Sequence, residues 1–184
     1  DSAKIEAQGL KPIEPLLNKI NAVTDINSLL ATVAELKQLG SSTLFSDYIS
    51  QDAKKSDEMS YSLWQGGLGL PEREYYFKSD SATVAIRAAY LNHIAKMLNM
   101  SGEDTATAGK AAADILKLET ELAKNSRKIE DLRDPYANYN KMSIAELNKL
   151  TPKIRFFVQP IFKLIGWIPL TLRSMPRCQM RLGG

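Results

Sequence analysis

Most of the groups that carry protein chemistry are scarce in this sequence. Its 184 residues include one cysteine, Cys178, and one histidine, His93. A lone thiol excludes an internal disulfide and does not fix the redox compartment. A lone imidazole excludes zinc sites of the H-E-x-x-H type, which need two histidines one helical turn apart to reach the same ion. It also leaves little for nucleophilic catalysis, where a serine or cysteine requires a base and a group to orient it. Cys178 lies in a terminus rich in proline and arginine, with nothing to suggest that it meets His93.

Other absences narrow the field further. The glycine run Gly66 to Gly69 is not G-x-x-x-x-G-K-[ST], and Pro71 stands where a phosphate-binding helix would open, so the run reads as a structural turn. The acidic pairs Glu72/Glu74, Glu119/Glu121 and Asp131/Asp134 read as solvated carboxylates rather than as an acid and its base. Long apolar runs are missing too. The most apolar stretch, Ile154 to Leu172, is interrupted by Arg155, Pro160, Lys163 and Pro169, which suits a buried or interfacial segment and not a membrane span. The opening Asp1-Ser2-Ala3-Lys4 has neither a basic nor an apolar leader region, so no signal peptide is expected in this chain.

What is present is the composition of a globular domain. Hydrophobic residues make up 44% and charged residues 24%, which excludes disorder and collagen. A chain of this mass buries roughly 70% of its unfolded surface, enough to fold without metal or disulfide. The net charge of +3 is unevenly spread: every acid precedes residue 153, while Lys153, Arg155, Lys163, Arg173, Arg177 and Arg181 follow it. The body is mildly acidic, and no nucleic-acid partner is expected for it. A tail contact with an anion would show steep salt dependence that vanishes on deleting residues 153–184.

Apolar spacing predicts a mainly α protein, a multi-helical array with one small β-hairpin. Pro12 is read as opening a helix with Ile13, Leu16, Leu17 and Ile20 on one face. Asp25 should cap a second helix carrying Ile26, Leu29, Leu30, Val33 and Leu36, stopped by Gly40, and the two should pair. Leu44 to Gln51 and Met59 to Gln65 read as the hairpin, with the polar residues 52–57 as its turn. A long helix follows with Val84, Ala88, Leu91, Ala95 and Leu98 as its seam and His93 beside it. Ser101 and Asp104 have capping spacing before the next helix, with Ala108, Ala111, Ala112, Ile115, Leu118 and Leu122 inward. Asn125 to Lys141 reads as an ordered loop around Arg133-Asp134-Pro135. Ser143 and Glu146 then form a capping box, flanked by Met142 and Leu147, on a short helix ending at Thr151-Pro152.

One motif is specific. The run Gln65-Gly66-Gly67-Leu68-Gly69-Leu70-Pro71-Glu72-Arg73-Glu74-Tyr75-Tyr76 resembles the GLGLP-(acid/Ser)-R-(acid)-YY signature of the neprilysin/endothelin-converting-enzyme family of zinc metallopeptidases. Leu44 to Ile49 with Gln51 to Ser56, Leu116 to Ala123, Arg133-Asp134-Pro135, Tyr139 to Ser143 and Glu146-Leu147 resemble further landmarks of that family, as does the opening from Ile5 to Leu17. The resemblance covers about residues 1–153. Residues 154–184 are an apolar and basic tail that departs from the family pattern, which suggests an altered or frame-shifted end.

The resemblance implies a two-domain, mostly helical enzyme that cuts short peptides inside a chamber. The chamber lies between a zinc-bearing C-terminal domain and a lid that limits substrate size. Residues 1–153 would then be part of the N-terminal lid domain. Zinc would belong to the full-length enzyme, with no catalytic or metal-binding residue in this chain. The partners implied are peptide substrates and the C-terminal catalytic domain of the same polypeptide, and the location implied is extracytoplasmic: periplasmic, secreted or surface-anchored. Gly67, Leu68, Gly69, Leu70, Pro71, Arg73, Tyr75 and Tyr76, with Arg133 and Asp134, are read as architectural. The isolated chain is expected to bind no zinc, to hydrolyse no peptide, and to self-associate through surface that its missing remainder would cover. The alternative is a free-standing helical interaction module that has kept the scaffold and lost the enzyme.

Overall fold

A computed structural model describes residues 2–151 and the backbone of 179–182. In chain order the elements are helices α1 (Ser2–Gln8), α2 (Glu14–Asn21) and α3 (Ile26–Gln38), strands β1 (Phe45–Gln51) and β2 (Met59–Gln65), and helices α4 (Glu74–Phe77), α5 (Ser81–Met100) and α6 (Thr105–Asn125). A 3₁₀ turn at Asp131–Arg133, strand β3 (Asn140–Met142), helix α7 (Ile144–Leu150) and strand β4 (Gln179–Leu182) complete them. The protein is mainly α, and β1 and β2 form the expected hairpin. Pairing extends past it in the order β1-β2-β4-β3, through two short strands that carry no recognisable alternation. The remaining tail features, Ile154 to Leu172 and Cys178 among them, lie outside the described residues, as does Pro152. Among those described, no helix is long and apolar enough to cross a membrane.

The described residues gather into two compact units. The first comprises residues 2–43, 49–61 and 141–151. Its α2 starts two residues later than Pro12 suggests: Ile13 is the N-cap and Pro15 takes the position near the start that tolerates a missing N–H. Asp25 caps α3 as expected, accepting the Asn27 and Ser28 amides at 2.8 Å each. Gly40, at φ +82°, ends it. α3 packs on α2 and buries Leu30, Val33 and Ala34, leaving Ile26 and Leu29 exposed.

The hairpin turn belongs to the same unit and is polar at its centre. Asp52, with its side chain fully buried, accepts the Lys54 and Lys55 amides at 2.9 and 3.1 Å. It also holds the Lys141 ammonium at 2.9 Å, which reaches Glu58 at 2.9 Å as well. Lys141 therefore ties the start of the β3–α7 segment to the turn, and with Lys55 it holds the Glu58 carboxyl below its usual range. Removing the cation would leave a buried carboxylate without a neutralising charge, an expensive state. Lys141→Met should lower stability by about 2–3 kcal/mol in urea unfolding, whereas an unchanged midpoint would mean that the other contacts of Asp52 suffice to hold it. Ser143 and Glu146 form the capping box on α7 that their spacing predicts, and Leu147 is buried behind it.

The second unit comprises residues 44–48 and 62–140, with α4, α5 and α6 packed on one another. A four-residue turn joins α5 to α6. Asp104, not Ser101, is the N-cap of α6, and it accepts the Ala106 and Thr107 amides at 2.9 and 3.1 Å. Ser101 instead closes α5, its hydroxyl donating to the Leu98 carbonyl at 2.7 Å. Ala108, Ala112 and Ala123 are almost wholly buried along α6, so small side chains do allow close approach. Two details differ from the expected registers. Val84 and Ala88 of α5 are exposed and Thr83, Arg87 and Tyr90 turn inward, while on α6 Leu118 is exposed and its neighbour Glu119 faces in.

Candidate functional site

The glycine-rich segment and the one-turn helix α4 lie against α5 and α6. Leu70, Tyr76 and Ala123 form a buried cluster, with Leu68, Tyr75, Tyr90 and Leu116 packed around it. The segment is tied down by hydrogen bonds as well as by burial. The Leu70 amide donates to the Tyr76 hydroxyl at 3.1 Å, and that hydroxyl donates to Glu119 Oε2 at 2.6 Å. The Tyr90 hydroxyl donates to the other carboxylate oxygen at 2.9 Å. Burial, reinforced by the Glu119 acceptor, pushes the Tyr90 hydroxyl up to about 12 and Tyr76 in the same direction. Both phenols thus stay neutral donors to higher pH than a free tyrosine would.

Two guanidinium groups complete the clamp. Arg73 Nε donates to the Ala123 carbonyl at 3.1 Å, in the last turn of α6, where free carbonyls and the negative end of the helix dipole favour a cation. Its guanidinium also lies 5.4 Å from the centre of the Phe77 ring and 3.5 Å from Glu74. Arg87 of α5 donates to the carbonyls of Tyr75 and Lys78, at 2.7 Å each, closing the C-terminal end of α4. Gly66 and Gly67 lie against the backbone of residues 44–46, and a Cβ built on Gly69 would meet the Tyr90 hydroxyl.

The loop after α6 is held by a second set of polar side chains. Gln65 and Arg127 exchange two bonds: the Arg127 amide donates to Gln65 Oε1 at 2.9 Å, and Gln65 Nε2 donates to the Arg127 carbonyl at 3.1 Å. The Arg127 guanidinium donates to Asn138 Oδ1 and to the Asp131 carbonyl, and the Asn138 amide donates to the Leu132 carbonyl. Asp134 fixes the loop locally by accepting the Tyr136 and Ala137 amides at 2.8 and 3.2 Å. Its neighbour Arg133 makes no ion pair with it among the described residues.

The structure thus brings Gly67, Leu68, Gly69, Leu70, Pro71, Arg73, Tyr75 and Tyr76 into one packed segment, with Arg133 and Asp134 on a separately pinned loop. Glu119, Tyr90 and Arg87, which hold the first segment, and Arg127, which holds the loop, carry no sign of these contacts in the sequence, and Glu119, expected to be a solvated carboxylate, is instead bonded inward. Glu119 could have been suspected from its position four residues before Ala123 on the small-residue face of α6. Glu121, paired with it in the sequence, is exposed near Lys124. Among the described residues no three His, Cys, Asp or Glu side chains converge, and His93 is exposed on α5, so these donors do not fit a zinc site.

Comparison with known proteins places the segment in context. The sequence model of Peptidase family M13, for the N-terminal region, matches residues 1–166. Endothelin-converting enzyme 1 of Bos taurus is 31% identical over 173 residues, covering 88% of this chain and 22% of that protein. Endothelin-converting enzyme-like 1 of Rattus norvegicus is 33% identical over 134 residues, covering 72% and 17%. The crystal structure of the Mycobacterium tuberculosis zinc metalloprotease ZMP1 in complex with inhibitor superimposes with a TM-score of 0.82 at 26% identity, over 97% of this chain and 26% of that one. PEPO from Lactobacillus rhamnosis shares the fold, with a TM-score of 0.76 at 16% identity, over 96% of this chain and 27% of that one. The chain spans about a quarter or less of the length of these relatives.

Proposed function

This chain belongs to peptidase family M13, as part of its N-terminal domain, and on that premise we propose that it forms part of the lid that encloses the substrate chamber of a zinc-dependent metalloendopeptidase and limits the size of the peptides admitted. Zinc and the reacting groups are contributed by the rest of the polypeptide, whose catalytic domain is the partner of this chain. Oligopeptides are the substrates, and the working location is extracytoplasmic.

The observation that carries this reading is the state of the signature segment. Arg73, Tyr76 and the Leu70 amide are all bonded inward, to α6 or to the segment itself, and Glu119 and Arg87 reinforce them from α6 and α5. A segment bonded in this way supports a rigid wall, with Arg73 and Tyr76 committed to internal contacts. Size selection needs such a wall, because a yielding lid would admit longer chains.

A ladder of peptides tests the proposal. The longer polypeptide should cleave oligopeptides in a chelator-sensitive manner, with rates that fall by more than tenfold as length grows, and should leave folded proteins intact. The 184-residue chain should cleave none and contain no stoichiometric zinc. Chelator-sensitive cleavage by the pure chain would overturn the proposal, as would a longer polypeptide indifferent to substrate length.

A further inference from the structure

The last two turns of α5 present three metal-ligating side chains on one exposed face. His93, Met97 and Met100 are spaced i, i+4, i+7, and at about 100° per residue they fall within roughly 60° of one another around the helix. All three are exposed, Met97 by 52% and Met100 by 62%, so the fold does not bury them. The His93 imidazole makes no hydrogen bond among the described residues, which leaves a ring nitrogen available.

Helix geometry brings these donors within reach of one ion. Positions three and four apart have Cβ atoms about 5–6 Å apart. Long side chains on a helix lean toward its N-terminus, over the turn before their own, so Met97 leans toward His93 and Met100 toward Met97. Methionine is unbranched with three rotatable bonds, and its polarizable sulfur adapts to the position a ligand requires.

The donor set selects the metal. Thioether sulfur is a soft ligand, and two of them with one imidazole favour Cu(I). Zinc, magnesium and calcium ask instead for thiolate, carboxylate or further imidazole donors, and no three His, Cys, Asp or Glu side chains among the described residues converge to supply them. The position on the helix also suits a cation. The last turn of α5 carries no basic side chain, so the negative end of its dipole is uncompensated there. Lys96 stands at the edge of the face, exposed, and its long stem lets the ammonium extend into water.

We propose that His93, Met97 and Met100 form a surface site for a soft monovalent cation, Cu(I) in particular, held by one imidazole nitrogen and two thioether sulfurs without electron transfer. The proposal goes beyond the peptidase reading and does not depend on it. Silver(I) shares these ligand preferences and is redox-inert, so it serves as the probe. Cys178 is itself a soft ligand, and the 184-residue chain is therefore tested as Cys178→Ser. Titrated with silver nitrate in chloride-free buffer, it should bind one equivalent, with the methyl resonances of Met97 and Met100 and the His93 ring resonances shifting together while those of Met59 and Met142 stay in place. Cu(I), kept reduced with ascorbate and presented against a chromophoric chelator, should occupy the same site. Met97→Leu with Met100→Leu should weaken binding tenfold or more, as should His93→Ala, and neither change should move the melting temperature of the metal-free chain. Zinc at equal concentration should leave these resonances unmoved. The proposal is overturned by an absence of saturable silver binding, by binding that survives both sets of substitutions, by shifts confined to other methionines, or by an equal response to zinc.

Discussion

Replacing Gly67 with alanine should destabilise the second unit by about 3 kcal/mol or more. Two costs combine. Gly67 has φ +80°, a left-handed conformation that costs an L-residue about 1–2 kcal/mol. Its Cβ would also lie 2.7 Å from the Leu44 carbonyl oxygen and 3.0 Å from the Leu44 Cα, and backbone atoms cannot rotate aside as a side-chain tip can. Overpacking of this kind typically costs about 1–3 kcal/mol. Gly102 is the matched control, because it has φ +111° with nothing within 4 Å of a Cβ. Gly102→Ala should therefore carry only the backbone cost, and urea unfolding followed by circular dichroism would compare the two. Equal losses would mean that Leu44 yields and that the close approach has no energetic weight. Gly69→Ala is a different case, since a Cβ there would strike the hydroxyl and ring end of Tyr90, a side chain that could move away only by giving up its bond to Glu119.

Glu119→Leu should lose about 3 kcal/mol by a different mechanism. The carboxylate accepts from two phenols, and without it the buried Tyr76 hydroxyl and the half-buried Tyr90 hydroxyl lose their acceptor, each at a typical cost of about 1–3 kcal/mol. Glu119→Gln should lose less, because one oxygen remains to accept. Combining Glu119→Leu with Tyr90→Phe should recover part of the loss, since the Tyr90 hydroxyl is then no longer orphaned, whereas Tyr76→Phe would in turn deprive the Leu70 amide of its acceptor.

The same contact sets an alkaline limit. Burial and Glu119 raise the Tyr90 hydroxyl to about 12 and Tyr76 also upward, so the fold favours their neutral forms. That contribution is complete below the unfolded tyrosine value of about 10 and is lost as pH rises through the folded values. Stability should therefore decline from about pH 10 upward, and Tyr76→Phe with Tyr90→Phe should flatten the decline. Buried Tyr61 is shifted the same way and should leave a residual slope in that variant. Identical slopes for wild type and variant would remove the two phenols from the account.

Signals that act within a few residues were legible. Asp25, the Ser143/Glu146 box and Gly40 each do what their spacing implies, because a cap needs only its own first or last turn. Where two nearby residues have the same local chemistry, spacing does not separate them: Pro15 and not Pro12 lies in the first turn of α2, and Asp104 caps α6 while Ser101 closes α5. Long-range register was harder to read. Apolarity pointed to Leu118 and Val84 as inward residues, but the interior between α5 and α6 accepts Glu119 because Tyr76 and Tyr90 satisfy it, and those partners lie 43 and 29 residues away. The signature segment was recognisable as a unit from its residues, whereas the clamp that holds it was not, since arginine and glutamate on amphipathic helices look the same in sequence whether solvated or bonded.

The exchange between Gln65 and the Arg127 backbone has a consequence for substitution. The carboxamide of Gln65 acts as a surrogate peptide group, offering one donor and one acceptor to a stretch of chain that never becomes a strand. Asparagine has the same groups on a stem one methylene shorter, glutamate keeps the acceptor and loses the donor, and methionine matches the length with neither. Tolerance at position 65 should thus follow the order in which a side chain can imitate a piece of backbone, rather than polarity or size.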